Sequence, residues 1–289
     1  MSIIMNKEIV AQRSGVKGVN KERKIAIHME RFDSVMEVAD KCNTREMTSN
    51  EFHNMRKESL RSWHGVNTYD EAIDLMHNGY EPQVTMMELD RIARGEGKRI
   101  AFSNNIVGFA PVVPLALKGV PNCMIDMRMK PAKIKVIDLY YECTHSASCG
   151  ADELIADGKK VLGAIMAMER SGYKINLYAM QSYANSDDCD MMIVKIKSSS
   201  QPFDLKKMSY ALMHPAFFRV IGFDWYSKFP DAKFRFGYGH WLAREFNDKE
   251  LLQEEFRKIF GNNAVYLSGM ETNIHDQQYI IDTLKGDNK

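Results

Sequence analysis

Ile134-Lys135-Val136-Ile137-Asp138-Leu139-Tyr140-Tyr141-Glu142-Cys143-Thr144-His145-Ser146-Ala147-Ser148 is the stretch whose reading decides the fold. Ile134, Val136, Ile137, Leu139 and Tyr140 make an apolar run rich in β-branched residues, the mark of a buried strand. The run breaks at Glu142 into small and polar side chains. Leu154, Ile155, Val161, Leu162, Ile165, Met166 and Met168 then recur near helical spacing. This predicts a helix from about Ala151 to Ser171, stopped by Gly172. Lys174–Tyr183 reads as the next strand. Strand, crossover helix and strand make a right-handed parallel unit. Ligands of such sheets collect beyond the carboxyl ends of the strands, which directs attention to Glu142–Ser148. The expected fold class is α/β: a Rossmann-like, mainly parallel sheet with helices on both faces and an α-rich N-terminal extension.

Working outward, residues 1–24 carry six basic and two acidic side chains, with Gly15 and Gly18 interrupting any helix. They read as a flexible basic arm. Residues 25–130 form the N-terminal part, with Asp33–Lys41 and Val84–Arg94 as predicted helices. Between these, Thr68-Tyr69-Asp70-Glu71 matches a capping box before the apolar residues Ala72, Ile73, Leu75 and Met76. Residues 131–289 form the core. There, Met191–Lys197 reads as a strand, Asp204 caps a helix running to Met213, Asp248–Phe260 is amphipathic, and Ala264–Leu267 is a short buried strand.

At 289 residues and a net charge of +1, the chain can bury a full core and carries no global electrostatic attraction for nucleic acid. Five scattered cysteines with no C-x-x-C pair argue against structural zinc and fit a reducing compartment. No apolar run has signal or membrane-spanning length, so a cytoplasmic protein without a membrane partner is expected.

Charge is nevertheless uneven. Residues 91–135 hold nine basic side chains against Glu96 and Asp126. His214–Arg244 holds ten aromatic side chains, with Arg219, Lys228, Lys233, Arg235 and Arg244 interleaved. On a strand, Lys233-Phe234-Arg235-Phe236-Gly237-Tyr238-Gly239-His240-Trp241 would set cations on one face and rings on the other. Rings that stack unpaired bases, beside cations that hold phosphates, are the chemistry of single-stranded nucleic-acid binding. The candidate nucleic-acid residues are Arg91, Arg94, Lys98, Arg99, Arg128, Lys130 and Lys133 from the basic segment. Lys233, Arg235, Tyr238 and Trp241 join them from the aromatic one. Packing of the same rings in a core is the competing reading. Cys143 and His145 stand two residues apart, but no third group is visible to orient the imidazole, so no catalytic residues are assigned and no enzyme is expected.

Several landmarks resemble an uncharacterised family of tailed-phage proteins with a von Willebrand A-like core. They are Trp63-His64-Gly65, Thr68–Ile73 with Asn78-Gly79-Tyr80, Leu117-x-Gly119-x-Pro121-Asn122-Cys123-Met124, Met168-Glu169-x-x-Gly172-Tyr173, and His214-Pro215-x-x-x-Arg219-x-x-x-Phe223. A more distant similarity is to the single-stranded-DNA-binding transcription cofactors of podoviruses that package an RNA polymerase. The resemblance implies a phage origin, the cytoplasm of an infected bacterium and a von Willebrand A-like sheet. It also suggests as partners single-stranded DNA, RNA polymerase or another phage or host protein, and a further copy of the chain. In von Willebrand A domains the strand-end loop carries D-x-S-x-S, which helps hold Mg2+ or Mn2+. Glu142, Thr144 and Ser146 occupy that place here as candidate metal residues. With Glu for Asp and Thr for Ser, the loop reads as degenerate and no cofactor is expected. The leading functional expectation is a non-enzymatic single-stranded DNA-binding accessory factor of viral transcription or replication. The alternative is a von Willebrand A-like module that binds a host or viral protein.

Overall fold

The structure is a computed structural model describing residues 2–14, 20–42, 63–82, 103–126, 135–185, 187–230, 240–246 and 248–286. The strands are β1 (Ile3–Ser14), β2 (Asn20–Phe32), β3 (Ser103–Asn105), β4 (Ala110–Pro111), β5 (Met124–Asp126), β6 (Val136–Glu142), β7 (Lys174–Ala184), β8 (Asp188–Lys197) and β9 (Ala264–Ser268). The helices are α1 (Val35–Cys42), α2 (Tyr69–Asn78), α3 (Val113–Leu117), α4 (Ala151–Arg170), α5 (Leu205–Met213), α6 (Phe223–Lys228), α7 (Lys249–Phe260), α8 (Gly269–Ile274) and α9 (Gln277–Lys285). The predicted Val84–Arg94 helix lies outside the described residues.

Six strands form one sheet in the order β1-β2-β8-β7-β6-β9, and β3-β5-β4 form a small second sheet. The β6–α4–β7 unit is parallel, and β9 joins β6 in parallel on its other side. The expectation of a mainly parallel Rossmann-like sheet is overturned. β8 runs antiparallel to β7 in the middle of the sheet, β2 is parallel to β8, and β1 is antiparallel to β2. The sheet is therefore mixed. The physical reason lies in the β7–β8 connection. Asn185 Oδ1 accepts from the N–H groups of Asp187 and Asp188, both at 2.8 Å, and the Asn185 N–H donates to Asp188 O at 2.8 Å. A turn this tight returns the chain beside itself, and only an antiparallel neighbour can follow.

The N-terminus departs from the basic-arm reading as well. Ile3–Ser14 is the outer strand of the sheet, paired residue for residue with β2. Ile9 and Ala11 are buried, and the buried Glu255 of α7 accepts the Val10 N–H at 2.9 Å.

Alternation along the central strands sorts the core into two layers. Ile137, Leu139 and Tyr141 of β6 face α4, α5 and α9. Tyr140, Tyr178 and Met180 face Leu252 and Phe256 of α7. Helix ends follow the sequence: Thr68, Asp204, Asp248 and Asp276 each accept backbone N–H groups as N-caps.

Candidate functional site

The carboxyl ends of β6, β7 and β9 come together, and Glu142 is the polar group at their centre. Its side chain is fully buried. Ser182 Oγ from β7 and Tyr266 Oη from β9 both donate to it. The Leu242 N–H donates to Glu142 Oε1 at 3.0 Å and to Ser182 Oγ at 2.8 Å. Burial pushes the carboxyl up to about 8, against the opposing pull of the Tyr266 and Leu242 hydrogen bonds. Thr144 Oγ1 accepts the Ser182 N–H at 3.1 Å, so it braces the same strand end. Ser146 Oγ instead pairs with Ser148 Oγ at 2.9 Å. Glu142 and Thr144 thus meet at Ser182, while Ser146 turns to its own loop. The Glu142 carboxyl oxygens are taken up by protein donors, which makes Glu142, with Thr144 bracing Ser182, a polar lock that leaves Ser146 out. Among the described residues, no group of three or more His, Cys, Asp or Glu side chains is arranged to hold a metal.

The neighbouring residues complete a second network. His145 Nδ1 lies 2.9 Å from Cys143 O, and Nε2 lies 3.5 Å from Asp157 Oδ2. Asn273 and Lys160 also donate to Asp157, each at 3.1 Å. Burial alone would raise the Asp157 carboxyl, but hydrogen bonds from His145, Asn273 and Lys160 outweigh it and hold the group below the ordinary carboxylate value. The Cys143 thiol points elsewhere, to Ala211 O at 3.2 Å, and burial raises it. Cys143 and His145 therefore do not form a nucleophile–base pair. Gly269 is required at the end of β9, because a Cβ there would come within 2.4 Å of His145 Cε1 and 2.7 Å of Glu142 O.

Arg219 seals the loop from outside. It is fully buried, donates to Trp63 O at 2.8 Å and Cys149 O at 2.6 Å, and lies 4.2 Å from the Trp63 ring. Burial lowers its guanidinium to about 10. It sits in a π-helical turn, Phe217–Gly222, that has a local cause. Gln181 of β7 is buried against this turn and donates to Phe217 O at 3.0 Å. A Cβ on Gly222 would stand 1.6 Å from Gln181 Oε1, so glycine makes room for the inserted amide.

The aromatic segment divides in two. Phe217, Phe218, Trp225 and Phe229 are buried core residues, as the core-packing reading of this segment has it. Phe217, Ile221, Trp225 and Phe229 stand four residues apart, the spacing of an apolar helical stripe. Lys233, Arg235 and Tyr238 lie outside the described residues, as do Arg91, Arg94, Lys98, Arg99, Arg128, Lys130 and Lys133. The chain re-enters at His240, whose backbone exchanges hydrogen bonds with Ala184 at 2.7 and 2.9 Å. Trp241 is partly buried, with the exposed Arg244 guanidinium 5.7 Å from its ring. Ser182, Leu242 and Tyr266, which complete the lock, were not singled out by sequence.

A cavity of about 460 Å3 opens at the opposite end of the sheet, beyond the carboxyl ends of β2 and β8 and between the starts of α1 and α5. Asp33, Lys195 and Lys207 line it together with Leu75, Met76 and Met208.

Fold and site together define a mixed α/β protein whose central strand ends are closed by an internally paired carboxyl lock. A family model described as a domain of unknown function (DUF7192) matches residues 14–288, and the chain belongs to that family. No curated protein and no solved structure matches it. Among the described residues, no helix is long and apolar enough to cross a membrane.

Proposed function

We propose that the protein is a non-enzymatic single-stranded DNA-binding accessory factor, acting in the cytoplasm of an infected bacterium in viral transcription or replication. One observation carries the reading. The exposed His240 and Arg244 and the partly buried Trp241 form a cation–ring cluster that directly follows Lys233-Phe234-Arg235-Phe236-Gly237-Tyr238-Gly239 in sequence. The Ala184–His240 bridge and the Glu142–Leu242 hydrogen bond tie that junction to the ends of β6 and β7. With the rings of residues 217–229 in the core, the stacking surface narrows to Phe234–Trp241. The viral role rests on the phage resemblance, and the basic 91–135 segment adds phosphate-binding charge in sequence.

The test is fluorescence anisotropy with a labelled single-stranded oligonucleotide over a salt series. Binding that weakens with salt is expected, together with about 5- to 150-fold loss in Trp241→Ala, the equivalent of one stacked base. Absence of binding at low salt, or wild-type affinity in a combined Trp241→Ala and Arg244→Ala variant, refutes the reading.

A further inference from the structure

Three helices and the ends of β2 and β8 enclose the cavity at the far end of the sheet. Val35 and Met36 open α1, Leu75 and Met76 lie in the last turn of α2, Met208 belongs to α5, and Ile196 comes from β8. All six are apolar, and three are methionines, whose flexible thioethers adapt to varied shapes. Met36 is 40% exposed, and Val35, Leu75 and Ile196 are only partly buried. Apolar surface is thus left open to water in a concave place, where an occupant would cover it.

The walls are braced. Gly79 turns the chain at φ 76°, and the Tyr80 N–H then donates to Lys206 O at 3.1 Å, which pins the end of α2 to α5. A Cβ on Gly79 would stand 3.0 Å from that same carbonyl oxygen. The buried Lys197 Nζ donates to Glu169 Oε1 at 2.6 Å, Ser198 O at 3.2 Å and Ile175 O at 3.4 Å, which fixes the end of β8. The hollow is therefore part of the fold. Its volume of about 460 Å3 falls within the roughly 300–1,000 Å3 of sites that hold one small organic molecule.

Charge and hydrogen bonding indicate which kind of molecule. The lining holds Asp33 and Asp204 against Lys195, Lys197 and Lys207. Glu169 pairs with Lys197, and Lys207 lies 3.9 Å from Asp204. Two acids then face two bases, and no excess of either sign is left to attract an ion. The Ser198–Gln201 turn closes on itself: the Ser198 N–H donates to Gln201 Oε1 at 2.8 Å and the Gln201 N–H to Ser198 O at 3.0 Å. The Ser198 hydroxyl and the Gln201 side-chain NH2 have no protein partner among the described residues, so both are donors to spare. We propose that the cavity binds a small, uncharged, largely apolar organic molecule with a hydrogen-bond acceptor at one end. The apolar body packs on Met36, Met76 and Met208, and the acceptor meets Ser198 and Gln201. Trp241 lies by the opposite end of β8, so nucleic-acid binding and occupation of this cavity stand or fall separately.

Fluorescence titration of the full chain with prodan tests the proposal. Prodan is an uncharged naphthalene with a carbonyl acceptor at one end, and its emission shifts to the blue in apolar surroundings. Saturable, blue-shifted emission at one dye per chain is expected, with a melting temperature that rises with dye concentration. Met36→Trp fills the rim from an exposed position, so it should weaken binding about tenfold or more without lowering the melting temperature of the free protein. Gln201→Glu keeps an oxygen for the Ser198 N–H and removes the NH2 donor, so it should weaken binding about fivefold or more, the equivalent of one hydrogen bond. Anilinonaphthalene sulfonate, with similar rings and a negative charge, should bind about tenfold or more weakly than prodan. No saturable emission with prodan overturns the proposal. So does wild-type affinity in both variants, which would place the dye elsewhere. Sulfonate binding as tight as that of prodan would overturn the assignment to an uncharged occupant.

Discussion

Replacing Glu142 with Gln should remove a pH dependence that the wild-type fold carries. The carboxyl is raised from the ordinary 4.5 to about 8 by burial. Between those values the folded chain keeps a proton that the unfolded chain has released, so stability falls as pH rises through this window. It is unaffected by this group below 4.5 and carries the whole penalty above 8. At about 1.4 kcal/mol per unit, the loss between pH 5 and pH 8 comes to about 3 kcal/mol. Glutamine keeps the shape and never ionises. Its carbonyl can accept from Ser182 and Leu242, and its amide can donate to Tyr266, whose hydroxyl turns from donor to acceptor. Burial pushes the His214 imidazole down to about 4, so it works in the opposite direction, adding stability as pH rises towards 6.5. The difference between the two proteins cancels that background. Urea denaturation at pH 5 and pH 8 is the assay. The wild type should lose about 3 kcal/mol more than Glu142→Gln across the interval, with the variant the more stable at pH 8. Parallel changes in the two proteins would refute the reasoning.

Gly222→Ala should destabilise by about 2–4 kcal/mol, because its Cβ displaces the buried Gln181 amide and orphans Phe217 O; a thermal melt with no shift would contradict the wedge. Asp157→Asn should destabilise at neutral pH by about 1–3 kcal/mol. The Asp157 carboxyl is held low, so its contribution is present above the ordinary 3.8 and is lost as pH falls through the folded value; acid titration of the variant should lack that part of the wild-type loss. Arg219→Lys should cost about 2–3 kcal/mol in chemical denaturation, since an ammonium cannot span both carbonyls and stack on Trp63. Of the five cysteines, Cys42, Cys143, Cys149 and Cys189 are buried and Cys123 is partly exposed. A thiol reagent should therefore label Cys123 first in the native protein and all five after unfolding.

Local pattern made the parallel unit legible. Apolar runs, helical spacing and Gly172 place β6, α4 and β7 within two residues of their observed limits. Strand direction was harder, because an aspartate-rich turn announces a reversal without saying which neighbour the returning strand takes. β1 was missed because only Met5, Ile9 and Ala11 keep the inward alternation, while Lys7 interrupts it and two glycines follow. Glu142 was visible as a position, but its role was not. Ser182, Leu242 and Tyr266 lie 40, 100 and 124 residues away, and only the closed sheet brings them to the carboxyl. Aromatic composition could not say which rings pack inside, since Phe217–Phe229 and Phe234–Trp241 are equally rich in rings; the structure buries Phe217, Phe218, Trp225 and Phe229, while residues 234–239 lie outside the described ones.

Reversal of the sheet at its centre divides its strand ends between two opposite rims. A uniformly parallel sheet gathers its ligand-facing loops along one rim. Here β6, β7 and β9 deliver theirs to the Glu142 end, and β2 and β8 deliver theirs to the cavity end. The closed carboxyl lock and the cavity of about 460 Å3 therefore stand at opposite rims of one sheet, each built by strands that run the other way from its neighbour's.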